Sequence, residues 1–186
     1  MKNYIIIILV VTASMLFGTA RAVAQQHDPP QAGDNFPDPA LDKFVGTWIW
    51  TSGKDTVKII LKKENILFPR NFRQDLIIGF HLYKKDSVIV ESSLQFQHTN
   101  RADGKSTILA GSDNNNNFIL KGSLTDITKG IKFVEIKLTM NSLKNKLTLV
   151  LSETPGLRYG DTSEYGTFRI PNNIELRKPI EEIPID

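Results

Sequence analysis

The 186 residues include no cysteine. That absence excludes a disulfide framework, a zinc–thiolate centre and a cysteine nucleophile together. Histidine is scarce too, with only His27, His81 and His98. None of the three has a second ligand two or four residues away, so no histidine metal motif is present. His81, inside a strand pattern, reads as a solvated residue. A Gly-x-Ser-x-Gly elbow is missing, as is a glycine-rich loop opening a helix that would cradle phosphate. Acidic and basic residues are interspersed, without a basic block or an interleaved aromatic–basic run, which argues against nucleic acid as a partner. No catalytic residue, metal or cofactor is expected.

What the chain does have begins with an export pattern. Lys2 supplies a short cationic start and Tyr4–Phe17 an apolar run too short to span a bilayer stably. Arg21-Ala22-Val23-Ala24 follows, with small residues where a signal peptidase reads them, so residues 1–24 are expected to be a signal peptide cleaved before Gln25. No cysteine lies near the cut to be acylated, and no transmembrane segment is expected after it. Loss of Lys2 and Arg21 from 23 cations leaves 21 against 20 anions, so the mature chain is nearly neutral.

Residues 25–40 hold four prolines and few apolar groups, the composition of a flexible tether. Residues 41–178 are expected to fold, and 179–186 to trail off as a tail. Within the folded tract the dominant signal is period-two alternation between turn residues. Trp48-Ile49-Trp50 opens a strand, and Ser52-Gly53-Lys54-Asp55 reads as a hairpin turn. Val57, Ile59 and Leu61 then share a face, with Lys58 and Lys62 opposite. Leu76, Ile78, Phe80 and Leu82 share a face in the next strand, with His81 and Tyr83 opposite. After Asp86 the chain returns over 87–94, and further strands are expected at 107–110, 118–123, 131–139, 147–151, 166–170 and 174–177. Such a series, with almost no helical period, predicts an all-β antiparallel up-and-down meander of about 8–10 strands, closed as a barrel or folded as a β-sandwich. Most runs are shorter than the roughly 9–11 residues of a membrane-crossing strand, and lysines occur throughout them.

The segment Leu41-Asp42-Lys43-Phe44-Val45-Gly46-Thr47-Trp48 resembles the opening of the lipocalin and fatty-acid-binding (calycin) superfamily. There a helical turn leads to Gly-x-Trp on the first strand and the tryptophan plugs the closed end of a small barrel. The resemblance implies structural roles for Gly46 and Trp48, and a last-strand arginine over the tryptophan ring: Arg177, with Arg169 as the alternative. Alternation sets Arg177 opposite Ile174 and Leu176. A wider resemblance is carried by Gly46-Thr47-Trp48-Ile49-Trp50, Ile59-Ile60-Leu61-Lys62-Lys63, Asp75-Leu76-Ile77-Ile78-Gly79-Phe80-His81, Glu91-Ser92-Ser93-Leu94, Leu147–Leu151 and Phe168–Leu176. These look like an uncharacterised family of small secreted bacterial proteins, a domain of unknown function. That implies a periplasmic or extracellular location and brings no activity.

Three segments invite chemistry. Asp113 and the asparagines 114–117 mimic the start of a calcium loop, but Phe118 and Leu124 stand where an EF-hand needs glycine and glutamate, so a turn is expected. The 155–166 loop gathers Arg158, Tyr159, Asp161 and Glu164 without a cleft to set two carboxylates apart. The connection around Leu67, Phe68 and Phe72 is apolar where a loop should be polar, which fits either a binding rim or a plug of the barrel end. The leading expectation is an exported, non-enzymatic binding protein. It would take a small apolar or amphipathic ligand in a lipocalin-like barrel, through Trp48, Trp50, Phe68, Phe72, Arg158 and Tyr159. The competing expectation is a pocketless protein–protein interaction or structural domain of the bacterial envelope, its interior filled by residues such as Phe80, Phe118, Phe133 and the tryptophans.

Overall fold

The computed structural model describes residues 29–127, 131–152 and 169–179. The described strands are β1 (Asn35–Phe36), β2 (Gly46–Ser52), β3 (Asp55–Leu67), β4 (Arg73–Lys85), β5 (Val88–Ser92), β6 (Ile108–Asp113), β7 (Asn116–Asp126), β8 (Ile131–Met140), β9 (Lys146–Ser152) and β10 (Ile174–Arg177). Turn chemistry sets their joints. Ser52 pairs with Asp55 across Gly53–Lys54, and Lys85 pairs with Val88 across Asp86 and Ser87, both at positive φ. Such paired left-handed residues match the twist of a two-residue hairpin. Of the strand expected at 166–170, residues 166–168 lie outside the described residues, and Arg169 and Ile170 are not in a strand.

Each strand pairs antiparallel with the next around a ring, β4-β3-β2-β10-β9-β8-β7-β6, and β6 returns to β4. The result is a closed eight-stranded meander barrel rather than a sandwich. β4 is the hub. One edge takes β3; the other is shared by β1, parallel at Arg73 and Gln74, by β6 at Ile77–Gly79 and by β5 at Leu82–Lys85. One wall position is therefore filled by two strands, β5 and β6, with residues 93–107 between them.

Register decides which faces are inside. Trp48, Ile59 and His81 lie opposite one another across β2, β3 and β4, so Val57, Ile59, Leu61, Ile77, Gly79, His81 and Tyr83 face inward. Leu76, Ile78, Phe80 and Leu82 face outward. This corrects the placing of Phe80 among residues filling the barrel. Ile78 and Phe80 are nonetheless fully buried, because the 93–107 excursion folds over them: Lys62 donates to the carbonyls of Gln97 and Thr99, and Glu64 accepts from the Arg101 amide. The near-continuous run Leu76–Leu82 is thus covered on both faces. Phe118 is half-buried against the core, and the side chain of Phe133 lies outside the described residues.

A 3-10 helix, Pro39–Phe44, closes one end. Asp38 caps it by accepting from the Ala40 amide, Pro39 starts it, and Leu41 and Phe44 are its buried face. The chain then turns through Gly46 at φ +127°, where no neighbour would obstruct a side chain. The backbone conformation, rather than space, calls for glycine there. Trp48 follows, fully buried, its indole N–H donating to the Phe44 carbonyl at 2.8 Å. At Gly122 space is the constraint: a Cβ would lie 2.0 Å from the Leu109 carbonyl oxygen. The tether expected at 25–40 is narrower than its composition suggests, since Asn35–Phe36 pair with β4 and the Gly33 amide donates to the Asn71 carbonyl.

Candidate functional site

Inside the apolar barrel sits a buried polar cluster, built where the wall is split. β4 supplies His81, β5 supplies Glu91, and Ser93 and Thr107 come from the two ends of the excursion. The side chains of His81 and Glu91 are both fully buried, with Nε2 and Oε1 3.0 Å apart. Nδ1 of His81 lies 2.8 Å from the Thr107 hydroxyl, which lies 3.1 Å from that of Ser93. Ser93 also accepts from the His81 amide, and the Ile127 amide donates to the second oxygen of Glu91. A consistent proton assignment runs from Ser93 to Thr107 to Nδ1, and from Nε2–H to Glu91. Buried polar groups need such pairing, since each one left unsatisfied costs about 1–3 kcal/mol. The expectation of a solvated His81 without partners is therefore corrected: partners 10 and 26 residues later enclose it.

Carboxylate, imidazole and hydroxyl in series are the components of an activated nucleophile. Here both hydroxyls are engaged within the cluster, and His81 and Ser93 are at most 1% exposed. The arrangement stitches β5 and β6 to β4.

The other expected site residues do not converge. Trp48 is buried at the closed end and Trp50 packs partly buried against the core. Phe68 and Phe72 lie outside the barrel, at the tip of the β3–β4 hairpin. Gly46 pairs with Leu61 and closes that register, so the tip projects at the closed end. Arg158 and Tyr159, with the rest of the 155–166 loop, lie outside the described residues. Arg177 lies opposite Ile49 on the outer face and bonds Glu175 at 2.9 Å. The cation over the Trp48 ring is Lys178, 5.2 Å from its centroid. One residue further along, the chain has left the alternation that turns Arg177 outward.

At the closed end, a shallow depression of about 600 Å³ is lined by Asp38, Ser112, Asp113 and the asparagines of the β6–β7 turn. Its carboxylates are occupied: Asp38 accepts from Ala40 and Ser112, and Asp113 pairs with Lys121, which holds its carboxyl below the ordinary range. Among the described residues no three His, Asp or Glu side chains converge as metal ligands.

A closed antiparallel ring of eight strands, plugged by an N-terminal 3-10 helix and a Gly-x-Trp tryptophan, is a lipocalin-like barrel. Within that class, the chain belongs to a family of unknown function, DUF6705, whose model matches residues 1–179. No curated protein and no solved structure matches it. No helix among the described residues is long and apolar enough to cross a membrane.

Proposed function

We propose that the chain is an exported, non-enzymatic barrel of the bacterial envelope that works through its outer surface rather than by carrying a ligand inside. One observation supports this reading above others: among the described residues the inward-facing apolar side chains of β2–β4 and β6–β10 are at most 6% exposed, apart from the half-buried Trp50 and Phe118. Residues lining a ligand-sized hollow would retain accessible area towards it. Close packing here reaches the backbone, as Gly79 and Gly122 have no room for a methyl group. Export rests on the Lys2, Tyr4–Phe17 and Ala22-Val23-Ala24 pattern.

The test is native mass spectrometry of the protein recovered from a periplasmic preparation after expression of the full chain. The expected mass is that of a chain beginning at Gln25, identical under native and denaturing conditions, without uptake of hydrophobic probes. A retained adduct displaced by an amphiphile would restore the ligand-carrying barrel. A mass that includes residues 1–24 would overturn export with cleavage.

A further inference from the structure

Beyond Gly46, where β2 begins, β3 has no partner but β4, and the β3–β4 hairpin runs on to its tip, accompanied on the β4 edge by β6 as far as Ile77 and by β1 at Arg73 and Gln74. Its tip is tightly closed: the Phe68 amide donates to the Phe72 carbonyl and the Asn71 amide to the Phe68 carbonyl, each at 2.9 Å. Asn71 takes the left-handed conformation at φ 59°. The rings of Phe68 and Phe72 stack with centroids 4.9 Å apart and planes 1° from parallel, and Phe36 of β1 meets Phe72 edge-on at 6.2 Å. Leu67 is 54% exposed and Phe36 43%. With Phe68 and Phe72 half-buried against each other, these groups form an apolar wedge at the hairpin tip, away from the barrel core.

The exposed side chains at the tip itself are cationic, with the Asp34 carboxylate beside the strand end at Arg73. Arg70 and Arg73 are exposed, and neither forms an ion pair with another described residue; among these Arg73 donates to Asn65, through its carbonyl at 3.1 Å and its side-chain oxygen at 3.5 Å. The nearby carboxylates are engaged elsewhere. Asp75 is buried beside Asn65 and Lys63, Glu64 accepts from Arg101 on the outer wall, and Asp34 accepts from the Gln31 amide. A convex apolar tip flanked by exposed guanidinium groups fits a surface that offers hydrocarbon and anions within a few ångströms of each other and yields to the shape pressed into it. The headgroup region of an anionic bilayer is such a surface. A standard protein interface uses roughly 20–30 residues a side, far beyond the footprint of β1 and this tip.

We propose that the β3–β4 tip is a membrane-surface docking element, with Phe36, Leu67, Phe68 and Phe72 entering the interface and Arg70 and Arg73 meeting anionic headgroups. The inference rests on a barrel that acts through its surface and names the partner of that surface. The test is co-sedimentation of the protein with phosphatidylglycerol–phosphatidylethanolamine vesicles and with phosphatidylcholine vesicles. Wild type is expected to bind the anionic vesicles, more weakly as salt rises, and to ignore the neutral ones. Arg70→Gln and Arg73→Gln, at exposed positions that leave the fold intact, should each weaken binding about fivefold, the equivalent of about 1 kcal/mol per cation at a charged membrane surface. Phe68→Ser with Phe72→Ser should abolish binding, whereas Leu143→Ser, at another exposed turn, should not change it. Failure to bind anionic vesicles, or binding indifferent to the arginines, overturns the proposal. Self-association of wild type in solution, lost in the phenylalanine variant and without vesicle binding, would assign the tip to a second copy of the chain instead. An empty barrel interior by mass spectrometry stands or falls independently of either result.

Discussion

Asp75 and Glu91 are both inward-set, buried carboxylates, at 8% and 4% exposure, yet the barrel holds them in different ways. Asp75 sits at the closed end, directly across from Asn65, whose amide donates to it at 2.8 Å. It also accepts from the Asp38 amide at 3.0 Å and faces the half-exposed Lys63 at 3.6 Å. Its partners are neutral amides and a cation that reaches water. Glu91 faces a fully buried imidazole, and the cluster around them joins β4 to both halves of the split wall. A carboxylate near the rim therefore tolerates a neutral substitute, whereas one inside a shared dry cluster does not.

The largest expected effect breaks the inner pair. Glu91→Leu or His81→Leu leaves the other member buried beside an apolar group, and should lower unfolding free energy by about 3–5 kcal/mol in urea titrations. Replacing both with apolar residues of similar volume should recover much of that loss, since the desolvation of both groups disappears together. A double variant as unstable as the sum of the singles would show that the two do not act as a pair.

Asp75→Asn should cost less, about 1–3 kcal/mol at neutral pH, because asparagine keeps one acceptor oxygen and either Asn65 or the Asp38 amide is left facing a donor. The pH dependence sharpens the contrast. Donation from Asn65 first, then from the Asp38 amide and Lys63, holds the Asp75 carboxyl below its ordinary value against the opposing effect of burial. A carboxyl depressed in the folded state stabilises above its unfolded-state value, and that contribution fades as pH falls through the folded one. Wild type should accordingly lose stability on acidification more steeply than Asp75→Asn. Parallel acid limbs in urea midpoints would contradict this assignment.

The smallest expected effect is at the plug. Lys178→Gln removes the cation from the Trp48 ring and should cost about 0.5–1 kcal/mol. Arg177→Gln, on the outer face among Glu175 and Lys146, should cost no more than a weak surface pair. The reverse ranking would return the covering role to Arg177.

Much of the wall was legible in the sequence, because alternation and paired turn residues are local signals: the 52–55 and 86–87 hairpins and the Gly46-x-Trp48 plug all follow from neighbours in the chain. The polar cluster was not. Glu91, Ser93 and Thr107 resemble ordinary solvent-facing strand residues, and only the meeting of β5 and β6 on one edge of β4 brings them to His81. A partial signal did exist. The run Asp75–Leu82 is apolar on both faces around Gly79, which a half-exposed strand does not need. Residues 33–38 were misread for a related reason: proline and glycine content describes their freedom in isolation, while backbone bonds to Asn71 and Arg73 come from the hairpin they lie beside. Phe68 and Phe72 were identified as an anomaly, but which end of the barrel they mark depends on register.

The last strand sets the order of events in assembly. β10 spans four residues, and its recorded partner on β2 is a single position, Arg177 opposite Ile49. The contact joining first and last walls is thus also among the most distant in sequence, and distant pairings form slowly because the intervening chain must be gathered first. Until residues 174–177 are in place, β2 and β9 each keep an open edge able to recruit another chain. A nascent copy is therefore at its most adhesive just before completion, and cutting the chain short of Ile174 should turn a closed ring into an aggregating sheet.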